Sequence, residues 1–184
     1  MKKAQFLIPL FFALVGPGTL AQTPKPAPAD NGILAPVIIK TDLYPAGVDA
    51  KEEIDKALKQ AVSDHKRVML VFGGNWCYDC HVLDRALHEG AAGQIMKENF
   101  VLVHVDIGEG NQNLDLLKKY KIPLEKGVPA VAILSSDGSL LYSSGNGEFE
   151  AARKMIKKDL VAFLQEWTKD NSSFTEKHQP KTRS

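Results

Sequence analysis

The chain is short of cysteine: Cys77 and Cys80 are the only two among 184 residues. A multi-bridge framework of the kind that staples small secreted domains is therefore excluded. Nor does this pair suit a stabilising bridge. Cross-linking gains most by closing a long loop, and a C-x-x-C bridge closes almost none. Reactivity explains the pair better than stability does. A zinc site is disfavoured too, because a lone C-x-x-C lacks the second pair of ligands.

Charge of one sign is also lacking. Lys and Arg number 23 against 22 Asp and Glu, for a net charge of +1. That balance gives no reason to expect nucleic acid or an anionic membrane as partner, and no run of like charge marks an interaction tail. Long apolar runs are missing as well. Residues 6–15 form an apolar run that contains Pro9 and is followed by Gly16 and Pro17, too short to span a bilayer as a helix. With Lys2 and Lys3 ahead of it and Thr19-Leu20-Ala21 behind it, the run reads as a signal peptide, residues 1–21, cleaved after Ala21. Cleavage removes both lysines and takes the net charge from +1 to −1. The expected location is periplasmic or secreted, with no stable membrane insertion after cleavage.

Apolar residues make up 44% and charged residues 24%, which fits one globular domain with tails. Residues 22–41 are rich in Pro and Ala and read as an extended linker, or equally as an unstructured N-terminal tail. Residues 42–169 hold the domain, and residues 170–184 are a polar C-terminal tail. No internal repeat is present.

Periodicity predicts the elements. In DAKEEIDKALKQAVSDHK, the residues Ala50, Ile54, Ala57, Leu58, Ala61, Val62 and His65 share one helical face, with Asp49 and Glu52 as a capping-box variant. RVMLVF (67–72) is a short continuous apolar strand, ended by Gly73 and Gly74. A helical stretch, HVLDRALHE, follows the cysteines. FVLVHVDI (100–107) is a second strand, NLDLLKKY (113–120) a short helix and PAVAIL (129–134) a third strand. Asp137-Gly138 signals a two-residue hairpin turn into SLLYSS (139–144). Phe149, Ala152, Ile156, Leu160, Phe163, Leu164 and Trp167 make one stripe and predict a single long last helix. The order α-β-α-β-α-β-β-α predicts an α/β three-layer sandwich, a central mixed sheet with helices on both faces.

The cysteines lie in NWCYDCH, where the first strand gives way to a helix. Two chemistries need this motif. A redox dithiol needs one thiolate stabilised at a helix start, Cys77, and one shielded partner a turn further in, Cys80. A c-type haem protein uses C-x-x-C-H, here with His81 as axial ligand, and needs a cleft for the macrocycle. Buried strands around the motif suit the dithiol, and Met69, Met96 and Met155 all fit core positions rather than a distal ligand site. His65, His88 and His104 read as packing or surface residues, and Asp106 as a loop cap. Tyr78 and Asp79 read as solvated turn residues or as modulators of the sulfurs.

GNWCYDC after a buried strand resembles the W-C-x-x-C of the thioredoxin superfamily, and the element order matches that fold. Gly127-Val128-Pro129-Ala130, ahead of a strand, resembles the family's cis-proline loop. The resemblance covers about residues 48–168 and is strongest to exported, thioredoxin_7-type thiol–disulfide oxidoreductases and to the periplasmic domain of transmembrane electron-carrying reductases. It implies Cys77 as nucleophile and Cys80 as resolving thiol, with Trp76 shielding the disulfide. Val128 and a cis Pro129 would form the substrate-binding loop, and Tyr78, Asp79 and His81 are candidate modulators. It implies no cofactor. Partners would be cysteine-containing protein substrates and a redox partner protein, with reduction the favoured direction. One departure stands out: six residues before the first cysteine, where thioredoxins carry a buried Asp, this chain has Val71. Asp79 would discourage a thiolate and a protonated His81 would favour it. A haem protein, or a non-catalytic binding module on the same scaffold, is the rival reading.

Overall fold

The computed structural model describes residues 32, 34, 36–39 and 42–168. The segments expected to be a signal peptide and a C-terminal tail, and the rest of the expected linker, lie outside the described residues.

The first helix, α1 (Ala50–Asp64), starts where the Asp49 carboxylate accepts from the backbone N–H groups of Lys51 and Glu52. Glu52 pairs with Lys56 at 2.9 Å, so the cap is held from the aspartate side. α1 ends at His65, in the left-handed region at φ 55°. Ala50, Ile54, Ala57 and Ala61 are buried as the stripe requires, whereas Val62 is exposed, off the edge of that face.

Strand β1 (Arg67–Gly73) is the buried centre of the sheet. It pairs in parallel with β2 (Phe100–Asp106) and antiparallel with β3 (Ala130–Leu134), which pairs with β4 (Leu140–Ser143). The strand order is β2-β1-β3-β4, so β2 is an edge strand and only half covered. The β3–β4 turn is one residue longer than expected. Ser135 N–H reaches Ser139 O, leaving residues 136–138 in the loop with Gly138 at φ 86°. That extra residue is taken up as a bulge at Ile133/Leu134.

Alternation along β1 divides the core in two. Val68, Leu70 and Phe72 face α1 and α4 (Leu114–Lys119). Met69 and Val71 face three helices: α2 (Tyr78–His88), α3 (Gly90–Asn99) and α5 (Lys157–Glu166). This is the α/β sandwich with a mixed sheet that the pattern predicts, with two corrections.

The first is α3, an additional helix. Gly90 turns the chain at φ 57°, and Gly93 packs against the end of α2, where an added Cβ would stand 2.5 Å from His88 C. Two glycines in ten residues hid it, since glycine is a poor helix former everywhere except at such a close approach. The second is the last helix. Phe149 and Ala152 are buried as the stripe implies, but a single 3-10 turn (Ala152–Lys154) and an extended Ile156 precede α5. The cause is the upstream chain. Leu34 N–H donates to Met155 O at 3.0 Å, and Lys157 N–H donates to Gly32 O at 2.9 Å. Leu34 is buried in the same core, so the packed chain begins upstream of residue 42, inside the segment read as linker.

Candidate active site

β1 delivers the site. It ends at Gly73, whose carbonyl takes the Ile107 N–H at 2.8 Å and ties the strand end to β2. The chain then turns at Gly74, with Cys77 N–H donating to Gly74 O at 3.0 Å, and enters α2. Asn75 fastens this turn to the upstream chain. Its Oδ1 accepts from Tyr44 N at 2.9 Å and its Nδ2 donates to Tyr44 O at 2.8 Å.

Cys77 is the N-cap residue of α2, extended at φ −83°, ψ 103°, and its Sγ accepts from Cys80 N–H at 3.1 Å. The sulfur therefore meets a backbone donor at the positive end of a helix, which stabilises a thiolate there. Cys77 and Cys80 are joined as a disulfide, with Cα atoms 5.3 Å apart. Cys80 is fully buried, while Cys77 keeps 4% of its surface accessible. The Val128–Pro129 peptide bond is cis, and Val128 O stands 3.6 Å from Cys77 Sγ. Val128 precedes the β3 ladder, so its backbone lies beside the sulfur without belonging to the sheet.

Trp76 is half exposed, and its indole Nε1 donates to Gly108 O at 2.7 Å, which spreads the ring beside the dithiol. Gly74 makes room for it, since an added Cβ would stand 2.6 Å from Nε1. Gly73 is as constrained. A Cβ there would be 2.5 Å from both Cys80 Sγ and the Tyr44 hydroxyl. Gly73→Ala is therefore expected to displace the buried sulfur, lowering stability by about 2 kcal/mol and slowing exchange at least tenfold. A thermal melt and a turnover assay check both.

The candidate modulators behave differently from solvated turn residues. Asp79 is buried, with Oδ1 accepting from Arg153 N–H at 2.7 Å and Oδ2 paired with Arg153 Nη1 at 2.6 Å. Its charge is thus committed to the 3-10 turn. Tyr78 is half buried and its hydroxyl accepts from Val37 N–H at 3.4 Å. His81 is buried, its Nε2 2.9 Å from Asn75 O. A haem does not fit these residues. The two sulfurs that would carry it are bonded to each other, and the ring nitrogen that would face iron is held inside by a backbone carbonyl. Among the described residues no group of three or more His, Cys, Asp or Glu is arranged to hold a metal ion.

Three residues near the site escaped the sequence reading. Tyr44 packs against Cys77 and Cys80. Asp84, one helical turn beyond Cys80, is buried with Oδ1 3.2 Å from His104 Nε2 and 3.3 Å from His88 Nδ1. A charged residue one turn from a buried cysteine was the signal available for it. Arg153 comes from the far end of the chain, and nothing local points to it.

A family model described as Thioredoxin-like matches residues 49–136. The chain is 35% identical to a disulphide isomerase from Xylella fastidiosa Temecula1, with a TM-score of 0.65, over 69% of this chain and 97% of that one. A thioredoxin from Thermus thermophilus shares the fold at a TM-score of 0.51 and 16% identity, over 70% and 94% of the two chains. The thiol:disulfide interchange protein DsbD of Pseudomonas fluorescens is 26% identical over 122 residues, 66% of this chain. The match spans about a fifth of that relative's length, 19%. With its C-x-x-C pair joined at the end of the central strand, the chain belongs to the thioredoxin-like family and is a thiol–disulfide oxidoreductase.

Proposed function

We propose that this is an exported enzyme that exchanges disulfides with cysteine-containing protein substrates, Cys77 attacking and Cys80 resolving, and that it works as a reductant. The observation that carries the roles is the asymmetry of the pair. Cys77 caps α2 and borders the Val128 loop, whereas Cys80 is wholly buried. An incoming disulfide reaches Cys77 first. The mixed disulfide is then opened by Cys80 from inside. Val128, outside the ladder, offers backbone groups for a short sequence-tolerant β-addition by an extended substrate, with Pro129 and the half-exposed Trp76 completing the surface.

Export rests on residues 1–21, and reduction on the transmembrane reductases named by the resemblance. The electrons would come from a redox partner protein, and no cofactor is required. An isomerase is the second reading, favoured by the name of the Xylella relative.

The test of the roles is trapping. Cys80→Ser is expected to accumulate mixed disulfides on Cys77, visible on non-reducing gels, because attack survives and release does not. Absence of adducts while Cys77 stays open to alkylation contradicts the assignment. Trp76→Ala is expected to weaken turnover of protein disulfides by about tenfold through substrate affinity, with small-molecule disulfides affected less.

A further inference from the structure

The release step needs Cys80 to give up its proton inside the protein. Its sulfur is fully buried, and burial disfavours a thiolate. On β1, the position six residues before Cys77 carries only the apolar side chain of Val71. A polar atom lies near the sulfur instead. The Tyr44 hydroxyl and Cys80 Sγ each lie 2.5 Å from the point that a Cβ on Gly73 would occupy, so they are separated by no more than twice that distance.

This hydroxyl is buried and, among the described residues, has no hydrogen-bond partner. A buried donor left unpaired is costly, and a disulfide sulfur is a weak acceptor. A thiolate is a strong one. The O–H therefore finds a good partner only when the bridge is open. Tyr44 is also held in place. Asn75 takes both its backbone N–H and its carbonyl, and its ring meets His104 edge-on with centroids 5.3 Å apart.

Burial and the surrounding charges keep the hydroxyl a donor. Burial foremost, then the carboxylates of Asp84 and Asp106, push its pKa far above the usual tyrosine value. The titratable groups around the pair are His81, Asp84 and His88 on α2, and His104 and Asp106 on β2. Asp84 Oδ1 is flanked by both His88 Nδ1, at 3.3 Å, and His104 Nε2, at 3.2 Å.

We propose that Tyr44 is a third catalytic residue, whose hydroxyl donates a hydrogen bond to Cys80 Sγ as that thiol ionises and so drives the release half of the exchange. The proposal rests on Cys80 being the resolving thiol. In the step, Cys80 loses its proton to solvent base and its sulfur bonds to Cys77 Sγ. The bond between Cys77 and the substrate sulfur breaks, and the electron pair leaves on that sulfur, which takes up a proton.

The experiment is a stopped-flow reaction of the reduced protein with dithiobis-nitrobenzoate, which releases a yellow thiolate at each sulfur attack. The first, bimolecular phase reports Cys77, and the second, unimolecular phase reports Cys80. In Tyr44→Phe the first phase is expected to stay within about twofold. The second is expected to slow about tenfold at neutral pH, with its pH midpoint about one unit higher. A second phase unchanged within about twofold, with an unmoved midpoint, overturns the proposal. Cys80→Ser separates the two readings. It should erase the second phase and spare the first; if it does not, the cysteine roles themselves are wrong and the Tyr44 role falls with them. Should Tyr44→Phe fail to fold, isotope-labelled tyrosine in the unsubstituted protein gives another readout. A reduced-minus-oxidised infrared difference in the tyrosine C–O band is expected, and a flat spectrum there overturns the proposal.

Discussion

Serine in place of Cys77 is expected to abolish disulfide exchange, a loss on the order of a thousandfold or more, with the fold intact. Serine is itself a good N-cap, so the Oγ can take over the hydrogen bond that Sγ now accepts from Cys80 N–H. The bridge that is lost spans three residues and contributes little to stability. Nothing structural is removed except the sulfur. A hydroxyl cannot form the mixed disulfide, and the buried Cys80 is not placed to attack in its stead. Dithiothreitol-driven reduction of insulin, beside a thermal melt, is the measurement. Activity within about tenfold of the parent would show that the chemistry lies elsewhere.

Asp79→Ala is expected to lower stability by about 2 kcal/mol. The carboxylate is buried and accepts two hydrogen bonds from Arg153, one from the backbone and one from the guanidinium. Its removal leaves a backbone N–H unpaired and frees the 3-10 turn from α2. The full cost of breaking a buried pair does not apply, because the Arg153 side chain is 54% exposed and solvent recovers part of its charge. Arg153→Ala should cost less, since it spares the backbone bond. Urea unfolding of the two variants checks the order. Equal midpoints for Asp79→Ala and the parent would mean the contact contributes nothing.

What the sequence made legible follows from the range of the forces involved. β1 and β3 read clearly, because a central strand buried on both faces needs a continuous apolar run. The C-x-x-C pair read clearly because its chemistry depends on spacing alone. α3 did not, because Gly90 and Gly93 serve a close contact with α2 that only the folded chain contains. The last helix was read as unbroken because Phe149 and Ala152 keep helical spacing with the residues after them. The break comes from hydrogen bonds to Gly32 and Leu34, more than a hundred residues away.

The site follows the same rule. Cys77, Trp76 and Pro129 sit in local motifs. Tyr44 packs on the dithiol and Arg153 on Asp79 from distant parts of the chain, Asp84 lies one helical turn past Cys80, and His104 arrives by register, as the β2 partner of Val71. At Val71 itself the polar group expected from the resemblance is missing, while the Tyr44 ring packs against both cysteines from the upstream chain.

The central claim is that this dithiol donates electrons. The equilibrium reduction potential of the Cys77–Cys80 couple, measured on the purified mature protein against glutathione buffers, tests it most directly. The expected potential is about −270 mV, that of a reductant that must be resupplied by a partner protein. A value near about −180 mV would place it with the isomerases, and one near about −120 mV with the oxidants; either would contradict the direction proposed.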